Sequence, residues 1–180
     1  MKKIFVVRHC EAEGQPKKSP LTLNGQKQAD VLGNFLANFN IERIIASPFV
    51  RAIQSAKPLS HITNIDIEID ERLSERILST YDLPDWLKKL AATYDDLDLT
   101  FDGGESSRIA MERIVNVVND IQKNTYKRTA IITHGNIMSL LLKYYDDSYG
   151  FAEWRKLTNP DVFVLTFNND NVTIEQIWHQ

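Results

Sequence analysis

Two short apolar runs, one near each end of the sequence, constrain the fold more than anything else in it. The first, Lys3-Ile4-Phe5-Val6-Val7, ends in Arg8-His9-Cys10-Glu11, and the second, Thr129-Ala130-Ile131-Ile132-Thr133, ends in His134-Gly135-Asn136. Runs this short, apolar and rich in β-branched residues read as buried strands. In open α/β sheets, ligands collect beyond the carboxyl ends of the strands. Each run delivers a histidine to that edge, so a single site built from both ends of the sequence is expected.

The stretches between them supply the scaffold. Ala12 to Pro20 is a polar loop, and Thr22 is placed to cap a helix from about Leu23 to Asn38, where Ala29, Leu32, Phe35 and Leu36 recur at helical spacing. Ile41 to Ala46 reads as a second strand. Ser47-Pro48 then offers a cap and a first-turn proline to a helix carrying Arg51 near its start. Ile65-Asp66-Ile67-Glu68-Ile69 alternates like a strand nearer the sheet edge. The stretch from Leu73 to Glu105 differs in character, with one short helix around Trp86 to Ala92, and residues of about 77–104 read as an insertion lying over the site. Ser106 or Ser107 caps a long helix whose core face is Ala110, Ile114, Val117, Val118 and Ile121; a helix through Leu140-Leu141-Leu142 follows the second histidine strand. Val162 to Phe167, a turn at Asn168-Asn169-Asp170-Asn171 and Val172 to Trp178 form a hairpin. Strands alternating with helices and closed by a hairpin imply a three-layer α/β/α arrangement around a mostly parallel, mixed sheet.

With 180 residues, the chain is expected to form a single domain spanning 1–180. A net charge of -3 without a basic cluster argues against nucleic-acid and membrane-surface partners. The apolar run behind Lys2 and Lys3 is too short for a signal peptide, and no stretch has transmembrane length. Cys10 is the sole cysteine, which excludes an internal disulfide and suits a reducing cytoplasm.

Arg8 and Arg51, taken with two strand-end histidines, make a cationic pocket with a nucleophile in it. Arginines and helix N-termini are the best partners for phosphoryl oxygens, and a neutral histidine attacks phosphorus to form a covalent intermediate. Neighbouring arginines keep it neutral, because like charge disfavours imidazolium. Glu75 is placed to protonate a leaving oxygen; read alone, it is equally a solvated glutamate beside Arg72 and Arg76. His61 and His179 read as surface or packing residues. No metal-ligand spacing and no nucleotide-binding glycine loop occurs, and Asp95-Asp96-Leu97-Asp98 reads as a solvated face. Trp86, Tyr94 and Phe101 either line an apolar pocket or form the small core of the insertion.

Arg8-His9-Cys10-Glu11 resembles the Arg-His-Gly-Glu signature of the histidine phosphatase superfamily, which includes the cofactor-dependent phosphoglycerate mutases. Leu21-Thr22-Leu23-Asn24-Gly25-Gln26-Lys27-Gln28-Ala29, Ser47-Pro48-Phe49-Val50-Arg51-Ala52-Ile53-Gln54-Ser55-Ala56, Gly104-Glu105-Ser106 and His134-Gly135-Asn136 are similar to further motifs of that family, in its order. The resemblance implies His9 as the phosphorylated nucleophile. Arg8, Arg51 and His134 are then its phosphoryl-binding partners, with Gln15, Gly135 and Asn136 also at the phosphate or substrate. Leu73-Ser74-Glu75-Arg76 resembles the mutases' Leu-Asn-Glu-Arg and implies Glu75 as proton donor. Two positions depart from the pattern: Cys10 replaces a glycine, which requires negative φ there, and Gln15 stands where the family has asparagine. Cys10 is either activated by its cationic neighbours or packed inward and inert. The expected activity is hydrolysis of a small phosphomonoester through phosphohistidine, without metal or cofactor. The alternatives are a 2,3-bisphosphoglycerate-dependent phosphoglycerate mutase and an inactive phospho-ligand-binding protein.

Overall fold

The structure, a computed structural model, describes residues 1–168 and 171–179. Strands β1 (Lys2–Arg8) and β4 (Arg128–Thr133) lie parallel at its centre, in register from Lys3 against Arg128 to Arg8 against Thr133. Beyond β4 come β2 (Arg43–Ala46) and β3 (Ile67–Ile69), both parallel to it. On the other side of β1 lie β5 (Asp161–Asn168) and β6 (Asn171–Gln176), antiparallel, so the sheet order is β3-β2-β4-β1-β5-β6.

Successive side chains of a strand point to opposite faces, and the central strands are apolar on both. Ile4, Val6 and Ile131 pack under α4 (Ser107–Lys123) and α5 (Gly135–Tyr145); Phe5, Val7 and Ile132 pack under α1 (Leu23–Ala37) and α2 (Val50–Thr63). Burying each of these side chains contributes about 1.5–3 kcal/mol, which makes the three-layer α/β/α arrangement the stable one. The five residues expected on the core face of α4 are all buried, and Ser106 is its cap, accepting the Ile109 N–H at 3.1 Å. Thr22 caps α1 through the Gly25 N–H at 2.9 Å.

Some boundaries differ from the sequence reading. Helix α2 starts at Val50, with Phe49 as its N-cap, because the Ser47 hydroxyl is engaged elsewhere. Strand β3 omits Ile65, whose N–H and carbonyl are both tied to Ser60 at the end of α2. Strand β2 starts at Arg43 rather than Ile41. The helix of the 77–104 stretch, α3 (Trp86–Asp95), runs three residues past Ala92, and a short α6 (Phe151–Trp154) precedes β5 unforeseen. The hairpin of β5 and β6 is present, although Asn169 and Asp170 of its expected turn lie outside the described residues. Among the described residues no helix is long and apolar enough to cross a membrane.

Candidate active site

Parallel register aligns the carboxyl ends of β1, β2 and β4. The His9 N–H bonds to the Thr133 carbonyl at 3.0 Å and the Ser47 N–H to the Ile132 carbonyl at 2.9 Å. His9, Ser47 and His134 therefore stand in a row along one edge of the sheet, and the two imidazole centroids lie 5.1 Å apart. The sequence reading paired the histidines; it missed the serine between them.

His9 is 9% exposed, and its hydrogen bonds define its tautomer. A carbonyl only accepts, so the 2.6 Å contact to the Cys10 oxygen places the proton on Nδ1 and the lone pair on Nε2. That lone pair accepts the Arg51 Nε–H at 3.1 Å. Burial, reinforced by the charges of Arg51 and Arg8, pushes the imidazole pKa down to about 3 against the opposing Cys10 bond. The ring is thus a neutral base held among cations. The Asn159 amide secures its backbone, donating to the His9 carbonyl at 2.7 Å.

Arg51 is fully buried in the first turn of α2, as expected from the sequence. Its Nη1 donates to the carbonyls of Gln15 and Pro16, each at 2.9 Å. Gln15 lines a cleft together with Arg8, Arg51, Glu75, Gly135 and Asn136 and, through its backbone, anchors this arginine; neither histidine lines that cleft. Arg8 donates from Nη1 to the Leu157 carbonyl at 2.8 Å, while its Nε is buried without a protein partner. Gly135 makes room for it, since a Cβ there would stand 2.9 Å from that Nε. His134 ends β4 as the N-cap of α5. Burial first, then the positive charges around it, holds its pKa well below the usual imidazole value.

Glu75 lies on the loop after β3, and its carboxylate sits on the N-terminus of α5. It accepts the N–H groups of Arg76 (2.9 Å), Asn136 (3.1 Å) and Ile137 (3.0 Å). Free N–H groups and the helix dipole favour an anion at that position. Asn136 is itself fixed, donating from Nδ2 to the Tyr94 hydroxyl at 2.9 Å; that hydroxyl contacts Ser139 Oγ at 2.6 Å. Tyr94 is therefore a buried strut, and Phe101, under the Lys89 amine, also lies away from the cleft. Trp86 alone of the three aromatics lines it.

A second set of bonds grips the Glu75 loop from behind. Arg113 of α4 donates from Nη1 to the carbonyls of Arg72 (2.6 Å) and Ser74 (2.7 Å), and pairs through Nε and Nη2 with the Glu105 carboxylate at 2.9 and 2.8 Å. The Glu105 carbonyl accepts from Arg76 Nε at 3.1 Å. Gly104 permits this closeness, because a Cβ there would collide with the Leu78 carbonyl. The Gly104-Glu105-Ser106 motif, of which the sequence reading foresaw only the cap, thus spaces, clamps and caps.

A mixed α/β/α sheet with a neutral histidine between arginines at the carboxyl end of β1, faced by a second histidine from β4, is the arrangement of one protein class. The chain belongs to the histidine phosphatase superfamily (branch 1), whose sequence profile matches residues 4–179. Among relatives, phosphoserine phosphatase 1 of Hydrogenobacter thermophilus is 25% identical over 153 residues, covering 73% of this chain and 70% of that protein. A Proteus mirabilis protein named "Probable phosphoglycerate mutase GpmB" is 26% identical, covering 94% of this chain and 86% of its own. Among solved structures, a mycobacterial glucosyl-3-phosphoglycerate phosphatase has the same fold, with a TM-score of 0.79 at 19% identity over 98% of this chain and 97% of that one.

Proposed function

We propose that the chain is a phosphomonoesterase that transfers the phosphoryl group of a small phosphorylated metabolite first to His9 and then to water. The observation that carries this reading is the His9 tautomer: a proton on Nδ1, a lone pair on Nε2, and a pKa pushed down to about 3. Arg51 exchanges its bond to Nε2 for a phosphoryl oxygen, with Arg8 and His134 taking the others. Nε2 bonds to phosphorus as the ester P–O bond breaks, and the leaving oxygen takes a proton from Glu75. Water then attacks phosphorus, gives a proton to the Glu75 carboxylate, and the P–N bond breaks. Developing negative charge on the transferred group meets fixed arginines throughout.

In this reading Gln15 and Gly135 shape the phosphate pocket and Asn136 holds Glu75. The 77–104 stretch serves a single domain as the wall facing the leaving group. No metal or cofactor is required, and a lone reduced cysteine suits a cytoplasmic enzyme. The relatives named as phosphatases support hydrolysis as the outcome; the one named as a mutase supports transfer to a second phosphoglycerate instead. Rapid quench with a ³²P-labelled ester, beside a coupled mutase assay, tests both. The expected result is acid-labile, base-stable label on the His9 peptide, release of inorganic phosphate, and loss of at least about three orders of magnitude in His9→Ala. Label on another residue overturns the nucleophile. Mutase turnover exceeding phosphate release overturns the hydrolytic outcome.

A further inference from the structure

The cleft lined by Arg8, Arg51, Glu75 and Gly135 has a volume of about 820 Å³. That is the size of a site for a drug-sized ligand, far more than a phosphoryl group and three carbons need. Its two ends differ chemically. At the sheet edge stand Arg8 and Arg51, already assigned to the phosphoryl group. The opposite wall is built from Ile77, Leu78, Tyr81, Leu83, Trp86 and Trp154. Trp86 is 51% exposed, and its ring meets Trp154 edge-on at 88°, with centroids 6.5 Å apart. Trp154 is held in turn by stacking on Phe151 at 5.5 Å. The two indoles form an aromatic corner in the cleft wall.

Charge on that side is as informative. The carboxylates there are Glu75 and Asp82. Beyond Arg8 and Arg51, the lining cations are Arg76 and Lys17. Arg76 is 6% exposed and donates to Thr93 Oγ1 at 2.8 Å and to the Glu105 carbonyl; its Nη2 is buried and has no protein partner. Lys17, at the rim, pairs with Glu71 at 3.5 Å. A carboxylate on the leaving group would face two acids and no exposed arginine, while an apolar ring would bury surface against the indole corner.

We infer that this site selects phosphomonoesters with a large apolar, ring-bearing leaving group over those bearing a carboxylate. The inference rests on the phosphomonoesterase reading and departs from the substrates in the names of the relatives. Binding tests it without requiring turnover: 2-phenylethylphosphonate and 3-phosphonopropionate carry the same phosphonate head and opposite tails. Calorimetric titration should give a Kd for the phenylethyl compound at least about ten-fold lower. Trp86→Ala should abolish most of that preference, and Trp86→Phe should restore much of it. Equal affinities, tighter binding of the carboxylate, or a preference untouched by Trp86→Ala overturns the inference. Turnover of 2-phenylethyl phosphate against phosphoserine, both with alkoxide leaving groups, should show the same order in kcat/KM. If neither ester is hydrolysed, the enzymatic reading fails, and the ratio of the two Kd values still decides the selectivity.

Discussion

Ser47 Oγ lies 2.8 Å from His134 Nε2, and both residues are fully buried. The hydroxyl also accepts the Phe49 N–H at 3.3 Å, which fixes its position beside the imidazole. The bond fixes the orientation of the His134 ring, and its other nitrogen, Nδ1, is buried with no protein partner. In Ser47→Ala, Nε2 would be left unpaired in a dry site, which costs about 1–3 kcal/mol. The expected result is a loss of roughly ten-fold or more in kcat/KM, with ¹⁵N shifts of His134 showing a mixture of tautomers. An unchanged tautomer in the variant would show that Ser47 does not set it.

The grip on Glu75 leads to a second prediction. Glu75→Gln should slow alkyl phosphates by about 10²-fold or more, the usual worth of a general acid, and aryl phosphates far less, because their leaving groups need no proton. Glu105→Gln loosens the Arg113 clamp without touching the cleft acid. It should lower kcat on alkyl esters by a smaller factor with the same bias between ester classes, leaving KM nearly unaffected. Losses of equal size in both classes would mean that the clamp serves only the fold.

How much of this was legible beforehand follows from what each residue depends on. The unbroken apolarity and short length of Ile4 to Val7 and Ala130 to Ile132 are local properties, so the strands and the pairing of His9 with His134 could be read directly. Arg51 was visible because its helix position follows from nearby spacing. Ser47 was misread for the same reason: Ser-Pro is a good local cap, and only the register of β2 against β4 reveals that its hydroxyl has a histidine beside it. Tyr94 stayed open between pocket lining and the insertion's own core because sequence composition does not say which way a helix turns. Arg113 stands far along the chain from Ser74, and nothing in its neighbourhood marks it out from the other arginines of a charged helix.

Acid should weaken the fold through the two site histidines. Unfolded, His9 titrates near 6.5, and in the fold its pKa is pushed down to about 3. Between those values the unfolded chain binds the extra proton, so stability falls as pH falls from 6.5, and the contribution is fully present only above that value. Lowered in the same direction, His134 adds to the effect. Each histidine contributes a slope of at most about 1.4 kcal/mol per pH unit. Urea unfolding between pH 7 and 4.5 should show this decline, reduced by about one histidine's share in His9→Asn. A slope identical in the variant, or a His9 resonance titrating near 6.5 in the native protein, would contradict the neutral nucleophile.

Cys10 follows His9 in sequence yet belongs to a different environment. Its backbone N–H donates to Ser55 Oγ at 2.9 Å, and its side chain is fully buried in the apolar cluster with Leu21, Ala29 and Ala52. The φ there is negative, since Asn40 and Asn64 are the non-glycine residues with positive φ among those described. A side chain is accommodated without strain where the family has glycine. Burial pushes the thiol pKa up to about 12, so at pH 8 only roughly one thiol in 10⁴ is the reactive thiolate. Of the two readings open from the sequence, the structure supports the inert one. Iodoacetamide should therefore leave native Cys10 unmodified, with alkylation tracking global unfolding as urea is added. Peroxide should not inactivate the enzyme through this residue. Cys10→Gly should cost about 1–2 kcal/mol of stability, from lost burial and added backbone freedom, while kcat stays within a few-fold. Stoichiometric modification of the folded protein at a rate insensitive to urea would place the thiol at the surface of the site and overturn this account.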